Sequence, residues 1–232
     1  NFKLRLGWGV TGQQDIGSNY PYIPNYTLST GVRDMYLMGD FGNSYNLKPA
    51  AYDPNIKWEE TVTKNIGLDF GMYRDRITAS FDYYQRNTKD LLNNVNIPLG
   101  ANFSNTLLTN VGSIENKGFE MTFNFIPVST KDWNVNIGLN GTFQSTVFTK
   151  LTTTDDDSYV VQTGQISASK EGYLEVHKVG YAPYSFRTYH QIYDENGVAI
   201  QNALLDTDKD GSITDADRYI VGKKPAPDFF GG

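Results

Sequence analysis

Cysteine is absent from the 232 residues, so disulfides and thiolate metal sites are excluded and the redox compartment leaves no mark. Basic charge is scarce as well, with 20 Lys and Arg against 26 Asp and Glu. The resulting net charge of −6 speaks against a nucleic-acid partner, which selects basic patches. No apolar run approaches the roughly eighteen residues of a membrane helix, and no N-terminal signal segment is visible. Histidine occurs only at His177 and His190. Neither stands near a Ser or Cys nucleophile in a recognisable arrangement, so the chain is not expected to be an enzyme. What remains is rich in rings and glycine: 16 Tyr, 13 Phe and 22 Gly, with 20% charged residues. That composition describes a tyrosine-rich β protein with long loops, large enough for one domain or two smaller ones.

Periodicity sharpens the class. Residues 1–10 place Phe2, Leu4, Leu6, Trp8 and Val10 on one face and Lys3, Arg5, Gly7 and Gly9 on the other. Residues 61–71 set Val62, Ile66, Leu68 and Phe70 against Asn65, Gly67 and Asp69. Residues 76–88 set Ile77, Ala79, Phe81 and Tyr83 against Ser80, Asp82 and Arg86. Residues 118–125 and 133–144 repeat the pattern with Phe119, Met121, Phe123 and Phe125, then Val135, Ile137, Leu139 and Phe143. So long a period of two means strands with one apolar and one wet face.

Strand length separates two architectures. Soluble strands usually run about five or six residues, whereas a tilted membrane-crossing strand needs about nine to eleven. The longer segments fit the second, with the apolar face toward lipid and Asp69, Asp82, Arg86 and Glu120 lining a wet lumen. Trp58, Phe70, Tyr73, Phe125, Trp133 and Phe148 fall near strand ends, as girdle residues would. Short connections near 71–76 and 126–132 alternate with long ones at 11–57, 89–109 and 151–227. Short periplasmic turns and long outer loops make that alternation in outer-membrane barrels. Strands 1–10, 76–90 and 133–150 then run outward, 58–71 and 110–125 inward, and PDFFGG opens the next. The expected fold is all-β: an antiparallel transmembrane β-barrel segment of about five full strands with long extracellular loops. The competing architecture is a β-sandwich with one wet face, a calcium-stabilised module binding glycan or protein.

Four stretches carry a resemblance: LRLGWGVTGQQDIG, DPNIKWEETVTKNIGLDFGMYRDRITASFDYYQRNTKDLL, NVGSIENKGFEMTFNF and DTDKDGSITDADRYIVGKKPAPDFFGG. In this order they resemble the barrel of SusC/RagA-type TonB-linked outer-membrane transporters. The resemblance implies that residues 1–232 are part of one barrel domain, an internal slice of a chain whose barrel has about 22 strands. It also implies import of oligosaccharides or peptides across the outer membrane of a Bacteroidetes-type bacterium. A SusD-like surface lipoprotein would be the partner, and TonB would act through a plug domain outside these residues.

Within the outer region 151–227, which holds 12 Asp and Glu against 7 Lys and Arg, DTDKDGSITDAD at 206–217 has the ligand spacing of an EF-hand loop. Asp206, Asp208 and Asp210 would offer carboxylates, Ser212 its carbonyl, and Thr214 a direct or water-bridged contact. Asp217 would close the shell, and Gly211 would allow the bend. The expected ion is a structural Ca2+ with an affinity on the order of 0.1 to 1 mM. A solvated acidic turn, its carboxylates bonded to nearby amides, is the other reading. The run Asp155–Asp157 reads as a loop tip. Tyr20, Tyr22, Tyr26, Tyr36, Phe41, Tyr45 and Tyr52 crowd the first long loop. Most are expected to pack that loop, although tyrosine also suits sugar or peptide binding.

Overall fold

A computed structural model describes residues 1–15, 17, 20–28, 36–37, 43–44, 47–97, 106–152, 158–165 and 172–232. The run Asp155–Asp157, with Phe41 and Tyr45, lies outside them. Six strands form one meander: β1 (Phe2–Gln13), β6 (Glu59–Met72), β7 (Ile77–Asn96), β8 (Thr106–Ser129), β9 (Asn134–Lys150) and β16 (Phe229–Gly231), paired in that order. Every pairing is antiparallel. The five long strands stand where the alternation places them, and the terminal PDFFGG adds the start of a sixth.

The register makes the two faces into continuous rows. Phe2, Phe70, Ala79, Phe123 and Leu139 are successive cross-strand partners. Leu6, Ile66, Tyr83, Phe119, Phe143 and Phe229 form a parallel row. Apart from half-buried Ala79 these side chains are exposed, Leu6 at 73% and Phe2 at 72%, because their solvent is not water. From Val128 to Phe119 the apolar face of β8 runs about 30 Å along the strand, or roughly 23 Å after a typical barrel tilt. That matches an outer-membrane hydrocarbon band of about 25 Å.

β7 and β8 continue past the expected boundaries near 89 and 109 and stay paired out to Asn96 and Thr106. A register shift at Lys89/Leu91, with Asp90 at φ 59°, re-aims the hairpin where it leaves the band. Asn110 fixes this bend from β8, its Nδ2 donating to the Asp90 carbonyl (2.6 Å) and the Lys57 carbonyl (2.9 Å). Asn110 Oδ1 in turn accepts from the Lys57 amide, and Lys57 Nζ pairs with Asp90 at 2.7 Å. Asp53 accepts from the Asn55 amide and the Thr109 hydroxyl. The motifs DPNIKW and NVGS are therefore two halves of one latch at the rim.

The region 151–227 is more ordered than a loop reading implies. It carries β10 (Val160–Gln165), β11 (Tyr173–Lys178), β12 (Ser185–Tyr189) and β15 (Arg218–Ile220) as one four-stranded sheet, plus the hairpin β13 (Gln191–Tyr193)–β14 (Ala199–Leu204). Phe148 joins this sheet to the barrel wall. Its amide donates to the Tyr181 carbonyl, its carbonyl accepts from the Gly180 amide, and its ring meets His177 at 4.9 Å. Phe148 is 8% exposed and points away from lipid, one residue out of phase with Phe143. The girdle role expected of it is thus corrected, whereas Trp133, 71% exposed, and Tyr73 do stand at the short-turn end.

The first long loop forms two small ribbons, β2 (Tyr26–Leu28) with β5 (Leu47–Pro49) and β3 (Tyr36–Leu37) with β4 (Asn43–Ser44). Tyr20, Tyr22, Tyr26 and Tyr52 remain exposed, with Tyr20 and Tyr22 edge to face at 6.3 Å. The expected packing is not met at these four, because a two-stranded ribbon has no second layer against which to bury them.

Candidate functional site: lumen wall and acidic loop

The wet face of the sheet carries one built cluster. Arg5 and Asp82 are partners of the same residue, Gly67, on either side of β6. A Cβ at Gly67 would run into Asp82 Oδ1 and lie 2.8 Å from Arg5 Cζ, so glycine lets the guanidinium cross the intervening strand. Arg5 Nε and Nη2 donate to the two oxygens of Asp69 at 2.9 and 2.8 Å. Nη2 also reaches Asp82 Oδ2 at 2.9 Å and Ser80 Oγ at 3.0 Å. The Ser80 hydroxyl has one proton to share between Asp69 and Asp82, at 2.9 and 3.1 Å. Glu120 is the next partner of Asp82 along the row. One guanidinium thus serves two carboxylates, and Lys3, the cross-strand partner of Asp69, supplies a second positive charge beside them, so the wall is charged but mixed in sign. A cavity of about 390 Å³ lies beside it toward the short turns, lined by Lys3, Asp69, Thr78, Ser80, Thr122 and Asn124 among others. The arrangement can hold polar groups by hydrogen bonds and charge; it contains no nucleophile–base pair.

The acidic loop follows β14. Asp206 accepts from the Lys209 and Gly211 amides (2.7 and 2.8 Å), Asp208 from the Asp210 amide, and Asp210 from the Ser212 amide (2.7 Å). Lys209 at φ 61° and Gly211 at φ 86° turn the chain so that carboxylate oxygens of Asp206, Asp208 and Asp210 lie within 4.8 Å of one another. Thr214 caps the short 3-10 helix Asp215–Asp217, accepting from the Ala216 amide. Asp217 is only 1% exposed. Its Oδ1 accepts from the Thr207 amide (2.6 Å) and the Asp208 amide (3.4 Å), and its Oδ2 from the Thr214 amide (2.8 Å). Of the six residues read from sequence, three are gathered, Ser212 and Thr214 shape the backbone, and Asp217 holds the loop ends together.

Charge follows from this geometry. The Thr214 and Thr207 amides, outweighing burial, keep the Asp217 carboxyl below its ordinary range. At Asp208 the Asp210 amide pulls downward. Burial, the charges of Asp210 and Asp217, and the Asp206 contact together win and raise it.

Known proteins share this β-meander. The family model described as TonB dependent receptor-like, beta-barrel, matches residues 1–219. The chain belongs to the TonB-dependent receptor β-barrel family.

Among relatives, the TonB-dependent receptor SusC of Bacteroides thetaiotaomicron is 45% identical over 235 residues, which cover 100% of this chain and 23% of that protein. A TonB-dependent receptor of Formosa agariphila is 29% identical over 244 residues, covering 98% of this chain and 23% of that protein. The solved RagAB peptide transporter superposes with a TM-score of 0.71 at 21% identity, covering 100% of this chain and 24% of that one. The chain spans about a quarter of the length of these relatives. As a SusC/RagA-type TonB-dependent receptor barrel segment, it uses both histidines in ring contacts: His190 stacks on Tyr219 at 3.6 Å, and His177 lies between Phe148 and Tyr184. The Arg5 network was only half visible in sequence. Asp69, Asp82 and Glu120 could be placed on the lumen face by parity, but their joining through Arg5 required the register.

Proposed function

We propose that the full-length protein is an outer-membrane nutrient importer. It would take up oligosaccharides or peptides together with a SusD-like surface lipoprotein, using TonB-derived energy delivered through a plug domain. The observation that carries this reading is the 45% identity to SusC over the whole chain. The polar, hydrogen-bonding lumen wall supports it, since large polar solutes need wetted walls rather than a packed core. The test is uptake by whole cells lacking the full-length protein, offered labelled oligosaccharides and peptides of graded size. Loss of uptake of one class, restored by the gene, is the expected result, with the lipoprotein co-purifying in mild detergent. Undiminished uptake of both classes and no lipoprotein partner would refute the proposal.

The acidic loop we read as a structural Ca2+ site in the extracellular region, with Asp206, Asp208 and Asp210 as carboxylate ligands, the Ser212 carbonyl and Thr214 as further oxygens, and Asp217 closing the shell through its remaining lone pair. Convergence of the three aspartates supports it. Calorimetry on the full-length protein should give a Kd on the order of 0.1 to 1 mM. Binding should vanish in the Asp208→Ala/Asp210→Ala double variant; unchanged binding and thermal stability there would remove the site.

A further inference from the structure

The outer face changes character in a single step. Above the apolar row Leu6–Ile66–Tyr83–Phe119–Phe143, the next same-face partners are Trp8, Lys64, Gln85, Lys117 and Ser145. The strands reach this row on the side of the long loops, so it lies at the extracellular edge of the hydrocarbon band. Trp8 is 72% exposed, and an interfacial Trp beside Lys marks the headgroup level. A hollow of about 490 Å³ opens here on the outer surface, lined by Leu6, Trp8, Lys64, Ile66, Tyr83 and Gln85.

The two lysines are placed to act together. Lys64 and Lys117 both partner Gln85, from opposite sides of β7, so their Cα atoms are two strand spacings apart, about 9.6 Å. Their four-carbon stems are long enough to lean over Gln85 toward one shared anion. Lys117 Nζ is held by Glu115 at 2.7 Å, and Gln85 Nε2 donates to the other Glu115 oxygen at 2.6 Å. Lys64 makes no ion pair among the described residues. One cation is thus uncompensated and lines the apolar hollow, while the second, shared with Glu115, stands across Gln85 outside that lining.

We propose that this row is a binding site for a phosphate-bearing lipid of the outer leaflet. The phosphate sits between Lys64 and Lys117, and an acyl chain lies along Leu6, Ile66 and Tyr83. Charge complementarity selects the headgroup, and the apolar hollow directly beneath selects a lipid over a soluble phosphate. The inference rests on the outer-membrane barrel reading and adds a lipid ligand to it.

The test uses the full-length receptor, recovered from the outer-membrane fraction in mild non-ionic detergent and examined by native mass spectrometry. It is titrated with monophosphoryl lipid A, with the dephosphorylated lipid, and with inorganic phosphate. The expected result is a preferred one-to-one adduct with the phosphorylated lipid, weakened roughly thirtyfold by Lys64→Gln/Lys117→Gln, the effect of two interfacial cations. Lys64→Arg retains binding, and Glu115→Gln tightens it by removing the competing carboxylate. Equal binding of the dephosphorylated lipid, equal competition by inorganic phosphate, or no response to the lysine and Glu115 substitutions would each overturn the proposal while leaving the importer reading intact. A receptor found in the soluble fraction would overturn both. Should the double variant fail to fold, lipid selectivity of the unmodified receptor and the Glu115→Gln shift still decide the matter.

Discussion

Gly118 is a position where the lumen wall tolerates no side chain. The Tyr84 ring lies directly on it, so a Cβ there would overlap the ring, and the Arg86 guanidinium lies over that ring at 4.7 Å. Tyr84 is among the few buried apolar residues of the sheet. Gly118→Ala must expel the ring, and the expected cost is about 1 to 3 kcal/mol, read from urea unfolding of the full-length barrel in lipid. A variant as stable as the parent would show that the ring moves freely. The acidic loop offers a second residue-scale prediction. Asp208 is raised and Asp217 lowered from the ordinary carboxylate value. At the proposed calcium site the ion would need ionised Asp208, so its affinity should fall as pH drops through a range beginning above that ordinary value. Asp217 has a depressed folded pKa, so its stabilisation is full above the ordinary value and is lost only as pH falls through the lower one. Acidification should therefore release the ion before the loop loses amide protection, as calorimetry and hydrogen exchange can follow. Simultaneous loss of both would contradict the two opposite shifts.

At the scale of elements, the Arg5 network ties β1 to both β6 and β7 on the side away from lipid. Arg5→Gln leaves Asp69 and Asp82 facing each other with only Ser80 between them. The expected outcome is a lowered unfolding midpoint of the full-length barrel, partly restored by adding Asp82→Asn. A double-mutant cycle checks this: additive effects of Arg5→Gln and Asp82→Asn would mean that the ion pair contributes nothing to strand association. The rim latch works in the same way. Asn110 satisfies backbone groups of two segments that sequence separates widely, which ties the short motifs around Asp53 and Asn110 into one unit.

For the whole molecule, topology is the testable quantity. In the proposed orientation the long connections and the sheet of 151–227 lie outside the cell, and the turns at 73–76 and 130–133 face the periplasm. The absence of cysteine makes labelling direct, in a full-length background freed of any other cysteine. Asn196→Cys, at the tip of the β13–β14 hairpin, should react with an impermeant maleimide on intact cells. Lys131→Cys should react only after the outer membrane is permeabilised. Labelling of Lys131→Cys in intact cells would invert the orientation, and with it the leaflet assigned to Lys64 and Lys117.

The sequence by itself determined the strands, their two faces and the spacing of the acidic loop. Alternation is a local consequence of the pleat and needs no partner strand to be read. The break in alternation at Lys64, Gln85 and Lys117 was present in the letters too, but as three separate interruptions. Only the tertiary structure put them into one row, because register between strands is set by long-range pairing that no single strand encodes. The same reason hid the joining of Arg5 to Asp69 and Asp82, residues far apart in the chain. It also hid the inward turn of Phe148, whose burial depends on the sheet of β10, β11, β12 and β15 packed over it. That sheet was read as loop because its strands are short and lack clean alternation; pairing and a shared edge with the barrel wall, rather than local pattern, hold it in place.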